Sequence, residues 1–319
     1  MPFELSEEYL SFLASFPTAE SIAQLSRGSG LPPHIARRAY RELSSILQMR
    51  FLIDFPKLRI LPVALLIDGH CPSWLGATLI ASLEGPVRNT LCVGFASLKR
   101  ALELQDEHLI KGLELNYWDF TSYPSSSPRE PREEDYALPT PPKGFYTRPD
   151  AVDLAVLSFK LDSPFEKITE CYKKALRLDE TLRELSSSTL AYHFRKHLKP
   201  FWKGNRAYLV QPIVENPVQV YIIEGWRSPV VARTVTTLLG YWFSIVDEKK
   251  ALIVSQFTTR EKVAFYRFLR SMGVRVVFGE LIMVPEETKY LRPLLWRNVK
   301  HARWASSFES VESEKPVFP

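Results

Sequence analysis

Apolar positions recur at helical spacing in two stretches, residues 6–46 and 149–199. Each stretch is followed by shorter apolar runs bounded by turn residues, the pattern of strands. In the first stretch Ser6 stands before an acidic first turn, Glu7 and Glu8, which suits the positive end of a helix. A second helix is predicted over 18–26, and Gly28-Ser29-Gly30 supplies a turn. Pro32 and Pro33 open a third helix, at the end where proline costs no hydrogen bond. Ile35, Ala39, Leu43 and Ile46 share its inner face, and His34, Arg37, Arg38 and Arg41 its outer one. The second stretch repeats this order at greater length. A helix opens over Asp153-Leu154-Ala155-Val156-Leu157, a longer one is predicted over 165–185, and Ser186-Ser187-Ser188-Thr189 offer caps for a third. There Leu190, Phe194 and Leu198 turn inward, leaving Thr189, Tyr192, His193, Arg195, Lys196 and Lys199 outside. Lys203-Gly204-Asn205-Arg206 is predicted to be the turn of a wing.

The strand regions carry a repeat. Leu65-Leu66-Ile67-Asp68-Gly69 and Tyr221-Ile222-Ile223-Glu224-Gly225 each end an apolar strand on an acid and a glycine, with Pro72 or Pro229 next. Helix-like apolar spacing follows in both: Trp74, Leu75, Leu79 and Ile80, then Val230, Val231, Val235, Leu238 and Leu239. The second copy continues with strands over 241–246 and 251–257. A helix with the Thr258 and Glu261 capping pattern then runs to Met272, Gly273 ends it, and a strand covers 274–284. That order is βαββαβ, a ferredoxin-like layout. The first copy has a shorter central hairpin, a helix predicted over 97–111 and a last strand over 113–122. Duplication explains the pattern; two unrelated α/β units sharing it by chance is the competing reading. A proline-rich stretch separates the halves, with Pro124, Pro128, Pro131, Pro139, Pro141 and Pro142 among serines and charges. The expected class is α+β, with two winged helix-turn-helix units and two ferredoxin-like units in alternation. The units are residues 1–57, helical; 58–123, a truncated α/β unit; 124–148, the linker; 149–210, the second helical unit; 211–286, the second α/β unit; and 287–319, a basic tail.

Charge and chemistry narrow the function. The net charge is +5, a modest excess, so its placement matters more than its size. Five of the basic residues fall within 187–206, where no acid stands. Hydroxyls, an imidazole and basic groups on one helical face are what contact with base edges and phosphates requires; a solvated basic face is the plainer reading. Three cysteines, Cys71, Cys92 and Cys171, form no CxxC pair, which argues against a disulfide framework and for a reducing compartment. The first ten residues do not read as a signal peptide, and no apolar run approaches the roughly 18 residues that span a bilayer. The expectation is a cytoplasmic protein with no membrane partner. No phosphate-binding or nucleophile motif is present, so neither an enzyme nor a cofactor is expected. His193 and His197 stand at i,i+4, a spacing able to hold a metal. With no Cys/His pair nearby they read as DNA-facing or surface histidines, and no metal is expected. In the tail Arg292, Arg297, Lys300, His301 and Arg303 alternate with Leu294, Leu295, Trp296, Val299 and Trp304, which predicts an amphipathic helix docked on the body.

A helical segment followed by a βαββαβ unit, twice, resembles the Lrp/AsnC family of transcription regulators. The segment Pro149 to Leu157 is similar to that family's opening helix, and Ser187 to Arg195 to its recognition helix. The resemblance implies helix-turn-helix units joined to ACT-like effector domains, with the two copies of one chain forming an intrachain pseudo-dimer. Double-stranded DNA is the implied partner and a small ligand the implied effector; further self-association stays open. Arg37, Arg38 and Arg41 would serve one half-site, and Ser188, Thr189, Tyr192, His193, Arg195, Lys196, Lys199 and Arg206 the other. The chain departs from the usual member in carrying two copies, a longer middle helix in the second and a truncated first α/β unit. The alternative is a protein-binding factor that docks on the transcription machinery or a ribosome through degenerate winged-helix units.

Overall fold

The computed structural model describes residues 6–120, 125–141, 150–212, 216–300, 303–305 and 307–312. The architecture is mixed α+β, with helices opening each half and one large antiparallel sheet. Helices α1 (Glu7–Ser15), α2 (Ile22–Ser29) and α3 (Pro33–Leu43) lead into strand β1 (Leu47–Ile53). Then come β2 (Ile60–Ile67), β3 (Gly76–Glu84), β4 (Asn89–Ser97), α4 (Leu98–Glu103), β5 (Leu109–Lys111) and β6 (Glu114–Tyr117). The second half begins with α5 (Ala151–Lys160), α6 (Ile168–Leu178) and α7 (Ser187–His193), which a π-helical turn, Phe194–Leu198, prolongs. After β7 (Trp202–Leu209) follow β8 (Gln219–Glu224), α8 (Ser228–Thr234), β9 (Tyr241–Val246), β10 (Lys250–Ser255) and α9 (Thr259–Met272). The chain closes with β11 (Arg275–Val276), β12 (Leu281–Pro293), β13 (Val299–Lys300), β14 (Arg303–Trp304) and β15 (Ser310–Glu312).

Strands β1 and β7, which leave the two helical stretches, pair with each other apart from the main sheet. Arg50 lies opposite Arg206 in that antiparallel ladder. The separation between these arginines along the chain is the one that relates Leu65 to Tyr221 and Gly69 to Gly225. In an antiparallel pair, a residue faces its own repeat-equivalent only on a local two-fold axis. If the two halves are repeats, the centre of the ladder lies on such an axis.

The main sheet has the same logic. Its strand order is β5-β2-β4-β3 in the first half and β12-β8-β10-β9 in the second, and each half lays an arm on the other's edge. β6, just after β5, pairs with β9; the far part of β12, Thr288 to Tyr290, pairs with β3. The β3 and β9 edges are thus covered within the chain, and the sheet ends on the short strands β5 and β6. Gly112 makes the bend between β5 and β6. A Cβ there would lie 2.4 Å from the Pro62 carbonyl oxygen, so the close approach requires glycine. Alternation along β2 serves two layers. Leu61, Val63 and Leu65 pack in a cluster with Leu75 and Ala101, and Ala64 and Leu66 join the main core on the opposite face.

Several expectations are corrected. The helix expected at Trp74 to Ile80 is absent, because Ala77, Leu79, Ala81 and Leu83 bury at period two and form β3. A loop closed by a Cys71–Cys92 disulfide stands where the second half has α8, against the expectation of unpaired thiols; Cys171 is free and buried. The helix expected over 97–111 is the short α4, and the chain turns extended again at β5. α6 stops at Leu178, where Asp179 accepts hydrogen bonds from the Thr181 amide and hydroxyl and diverts the backbone. The described residues of the tail form strands and a 3-10 turn rather than an amphipathic helix, and His301 lies outside the described residues. The tail does pack on the body, burying Leu294, Leu295 and Trp296 with α5 and α6. The described part of the linker, 125–141, lies against α8, with Arg129 ion-paired to buried Asp135 at 2.6 Å. Among the described residues no helix is long and apolar enough to cross a membrane.

Candidate nucleic-acid interface

In the first helical stretch, local capping sets the geometry. Ser21 Oγ accepts from the Gln24 amide at the start of α2, and Gly30 ends that helix at φ 70°, a left-handed turn that glycine adopts freely. Pro33 opens α3. Ala36, Ala39 and Leu43 bury, and Arg37, Arg38 and Arg41 are exposed. Arg38 pairs with Glu8 at 2.8 Å on the surface. Among the described residues Arg37 and Arg41 have no ion pair.

The second stretch departs further from expectation. Ser186, one residue before α7, is the cap, its Oγ accepting from the Thr189 amide at 3.1 Å. Its hydroxyl also bonds those of Ser188 and Thr189. Tyr192, Arg195 and Lys196 are exposed, Tyr192 by 56%. His193 is not. It turns inward, its Nδ1 3.0 Å from Asp153 Oδ1, and His197 Nδ1 lies 2.9 Å from Oδ2 of the same carboxylate. The reason is Asp153 itself, an acid buried in an otherwise apolar helix, which needs hydrogen-bond donors. Burial pushes its carboxyl above the usual range, and the histidines oppose that shift without cancelling it.

Lys199 bridges to Glu20 of the first helical stretch at 2.8 Å, so it ties the two stretches together. Phe165 adds to that junction, its ring 5.5 Å from Phe16 and 5.3 Å from Tyr40. Residues 203–206 form no wing turn; they lie within β7, because β1 offers that strand a partner. Arg206 is accordingly half-buried opposite Arg50, with burial lowering its pKa. Buried Asn205 donates to the carbonyls of Phe16 and Ala19.

The ladder also walls a cavity of about 130 Å³ between the helical stretches and the sheet. Arg50, Tyr208, Tyr117, Trp242, Asp162 and Tyr290 line it. Arg50 donates to the Tyr208 hydroxyl at 3.3 Å and pairs with Asp162. Tyr208 stacks on Trp242 with centroids 5.1 Å apart. Burial pushes the Tyr117 phenol up to about 12. A guanidinium, a carboxylate and phenols thus stand against an aromatic wall in this cavity. Sequence reasoning passed over Asp153, Arg50 and Asp162. A signal existed for Asp153 alone, as the acid inside an apolar helical run. Comparison with family models, curated proteins and solved structures finds no match to this chain.

Proposed function

We propose that the protein binds double-stranded DNA and regulates transcription, with α3 and the α7 segment as two recognition helices carried by an intrachain pseudo-dimer. The pairing of Arg50 with Arg206 carries this reading. A local two-fold between the strands that leave the helical stretches is what offering one helix to each of two half-sites requires. Arg37 and Arg41 on one helix, and Ser188, Tyr192, Arg195 and Lys196 on the other, are exposed groups suited to phosphates and base edges. Arg38 can join them, since an exposed ion pair such as Arg38–Glu8 holds weakly. His193 and Arg206 leave the proposed contact set, and Lys199 stands as Arg38 does, exposed and held by a surface ion pair. The second half's strand order, β12-β8-β10-β9 with α8 and α9 between strands, accords with a ferredoxin-like unit and with the Lrp/AsnC resemblance. The cavity against β1 and β7 supports a small effector, because an occupant would touch both strands to which the helical stretches are joined.

The test is titration of duplex DNA at several salt concentrations. Phosphate contacts release counterions, so affinity should fall steeply with salt. Neutralising Arg195 and Lys196 should lower the logarithmic salt slope by about one unit per lost contact. No duplex affinity at low salt, or an unchanged slope in the variant, overturns the reading and favours docking of the basic helix on an acidic protein.

A further inference from the structure

We propose that Asp153, His193 and His197 form a binding site for a divalent transition metal that pins α5 to the α7 segment. One donor atom from each residue converges within 4.8 Å of the others. Ligands around a metal at roughly 2.0–2.2 Å sit about 3–3.5 Å from one another. Asp153 Oδ1 lies 3.0 Å from His193 Nδ1 and Oδ2 lies 2.9 Å from His197 Nδ1, so each imidazole already stands near that spacing from one carboxylate oxygen. Asp153 comes from α5 and the two histidines, four residues apart, from the α7 segment; the histidine pair shows in the sequence, but the acid precedes it by a whole helix, α6, so the full set does not read as a motif. Two imidazoles and one carboxylate suit zinc, cobalt, nickel or copper better than magnesium or calcium, which favour all-oxygen sites. Three protein ligands leave coordination positions for water or a further group.

Two observations separate this cluster from an ordinary buried hydrogen-bond network. The helix opens into a π turn immediately after His193, and that turn contains His197. Such turns are rare and concentrate at functional sites. The rings also stand nearly perpendicular, at 86° with centroids 5.2 Å apart, so their nitrogens reach the carboxylate from two directions rather than stacking. Asp153 is deeply buried, whereas the side chains of His193 and His197 keep 18% and 31% of their exposure, which leaves a path for an ion. Binding requires each Nδ1 to present a lone pair. A neutral imidazole that donates Nδ1–H to Asp153 must pass that proton to Nε2 through solvent, so no net charge or electron is moved. The metal then takes the place of two hydrogen bonds and fixes the helix that bears Tyr192, Arg195 and Lys196. Uptake of metal stands independently of DNA binding. Only the effect on DNA rests on the proposed function.

The experiment uses the metal-stripped full chain, titrated with Co²⁺ alone and then with Zn²⁺. The expected result is one Co²⁺ per chain, with the visible absorption of nitrogen and oxygen ligation and no thiolate band, displaced by one Zn²⁺. His193→Ala and His197→Ala should each weaken binding by at least about tenfold. Asp153→Asn keeps the shape and one acceptor oxygen, so it serves should an alanine variant fail to fold, and it should lose the site equally. Zn²⁺ should raise the Tm of the wild type and leave that of Asp153→Asn unchanged. His34→Ala should bind as the wild type does. A wild type without a one-to-one site, or a site of unchanged affinity in all three cluster variants, overturns the proposal. Duplex titrations with and without Zn²⁺ form a separate arm: metal uptake without duplex affinity would leave the site standing and remove the DNA reading.

Discussion

The two helical stretches run in the same order, three helices and then a strand of the shared ladder, yet they are held together differently. The first is closed by apolar packing. Phe12, Leu13, Phe16, Leu25, Ala39 and Leu43 join the main core with Ala207, Tyr208 and Leu209 of β7, and its charges meet at the surface. The first has a neutral buried junction, Asn205 donating to the Phe16 and Ala19 carbonyls, whereas the second has several that involve charged groups. Asp153 receives two histidines, and Ser158 Oγ accepts from the Leu295 amide. The Trp296 indole donates to Asp179 at 2.9 Å, bringing the end of the chain into its core. Trimming an apolar core costs in proportion to the volume removed and leaves no polar group exposed to apolar surroundings. A buried polar junction fails sharply when one partner is lost, because the other is left unsatisfied. The second stretch should therefore be the one whose order depends on conditions and on distant residues.

Mutation and pH can break this contrast in graded steps. Trp296→Ala should cost about 3–5 kcal/mol, concentrated in α5 to α7. Hydrogen exchange resolved by peptide checks this, and equal loss of protection in α1 to α3 would contradict it. Asp153→Ala should cost about 1–3 kcal/mol in urea unfolding, from imidazoles left without an acceptor; the nearest counterpart at the first stretch is a neutral amide, Asn205. Acid should act on the second stretch through Asp179. Burial works to raise its carboxyl, but bonds from Thr181, Trp296 and Arg297 outweigh that and hold it below the usual value. The native state thus binds this proton less readily than the unfolded chain. Its stabilisation is full above about pH 4 and is lost as pH falls through the lower folded value. Asp179→Asn should flatten the fall in urea midpoint below about pH 4, and an unchanged pH profile would count against the junction. Smallest of all, Arg38→Ala and Lys199→Gln should each change stability by about 0–1 kcal/mol, since both remove exposed or half-exposed pairs.

How far the chain could be read in advance follows from where its information lies. The caps and prolines of the first helical stretch are local signals, and α3 with its arginines outward is legible from them. So is the α9 capping box, Thr258 with Glu261, and the glycine that ends that helix. β3 was open to misreading because Trp74, Leu75, Leu79 and Ile80 also fit a helical face, while half of the period-two set Ala77, Leu79, Ala81 and Leu83 is alanine, a weak strand signal. Arg206 reads as a surface wing until β1 is known to pair with β7, a contact between distant segments that no local pattern encodes. The same holds for His193: its direction is set by Asp153 across the fold, and helical phase alone turns it toward solvent.

The claim at the centre of this account is that two helices, related by the two-fold at Arg50 and Arg206, meet two half-sites. Selection of bound sequences from a random duplex pool, followed by hydroxyl-radical footprinting, tests it directly. The account predicts two protected segments in inverted orientation, about one helical turn apart. Arg37→Ala with Arg41→Ala should remove protection from one of them, and Arg195→Ala with Lys196→Ala from the other. A single unsymmetrical footprint that both double variants weaken alike would contradict it, as would no protection of duplex DNA at low salt.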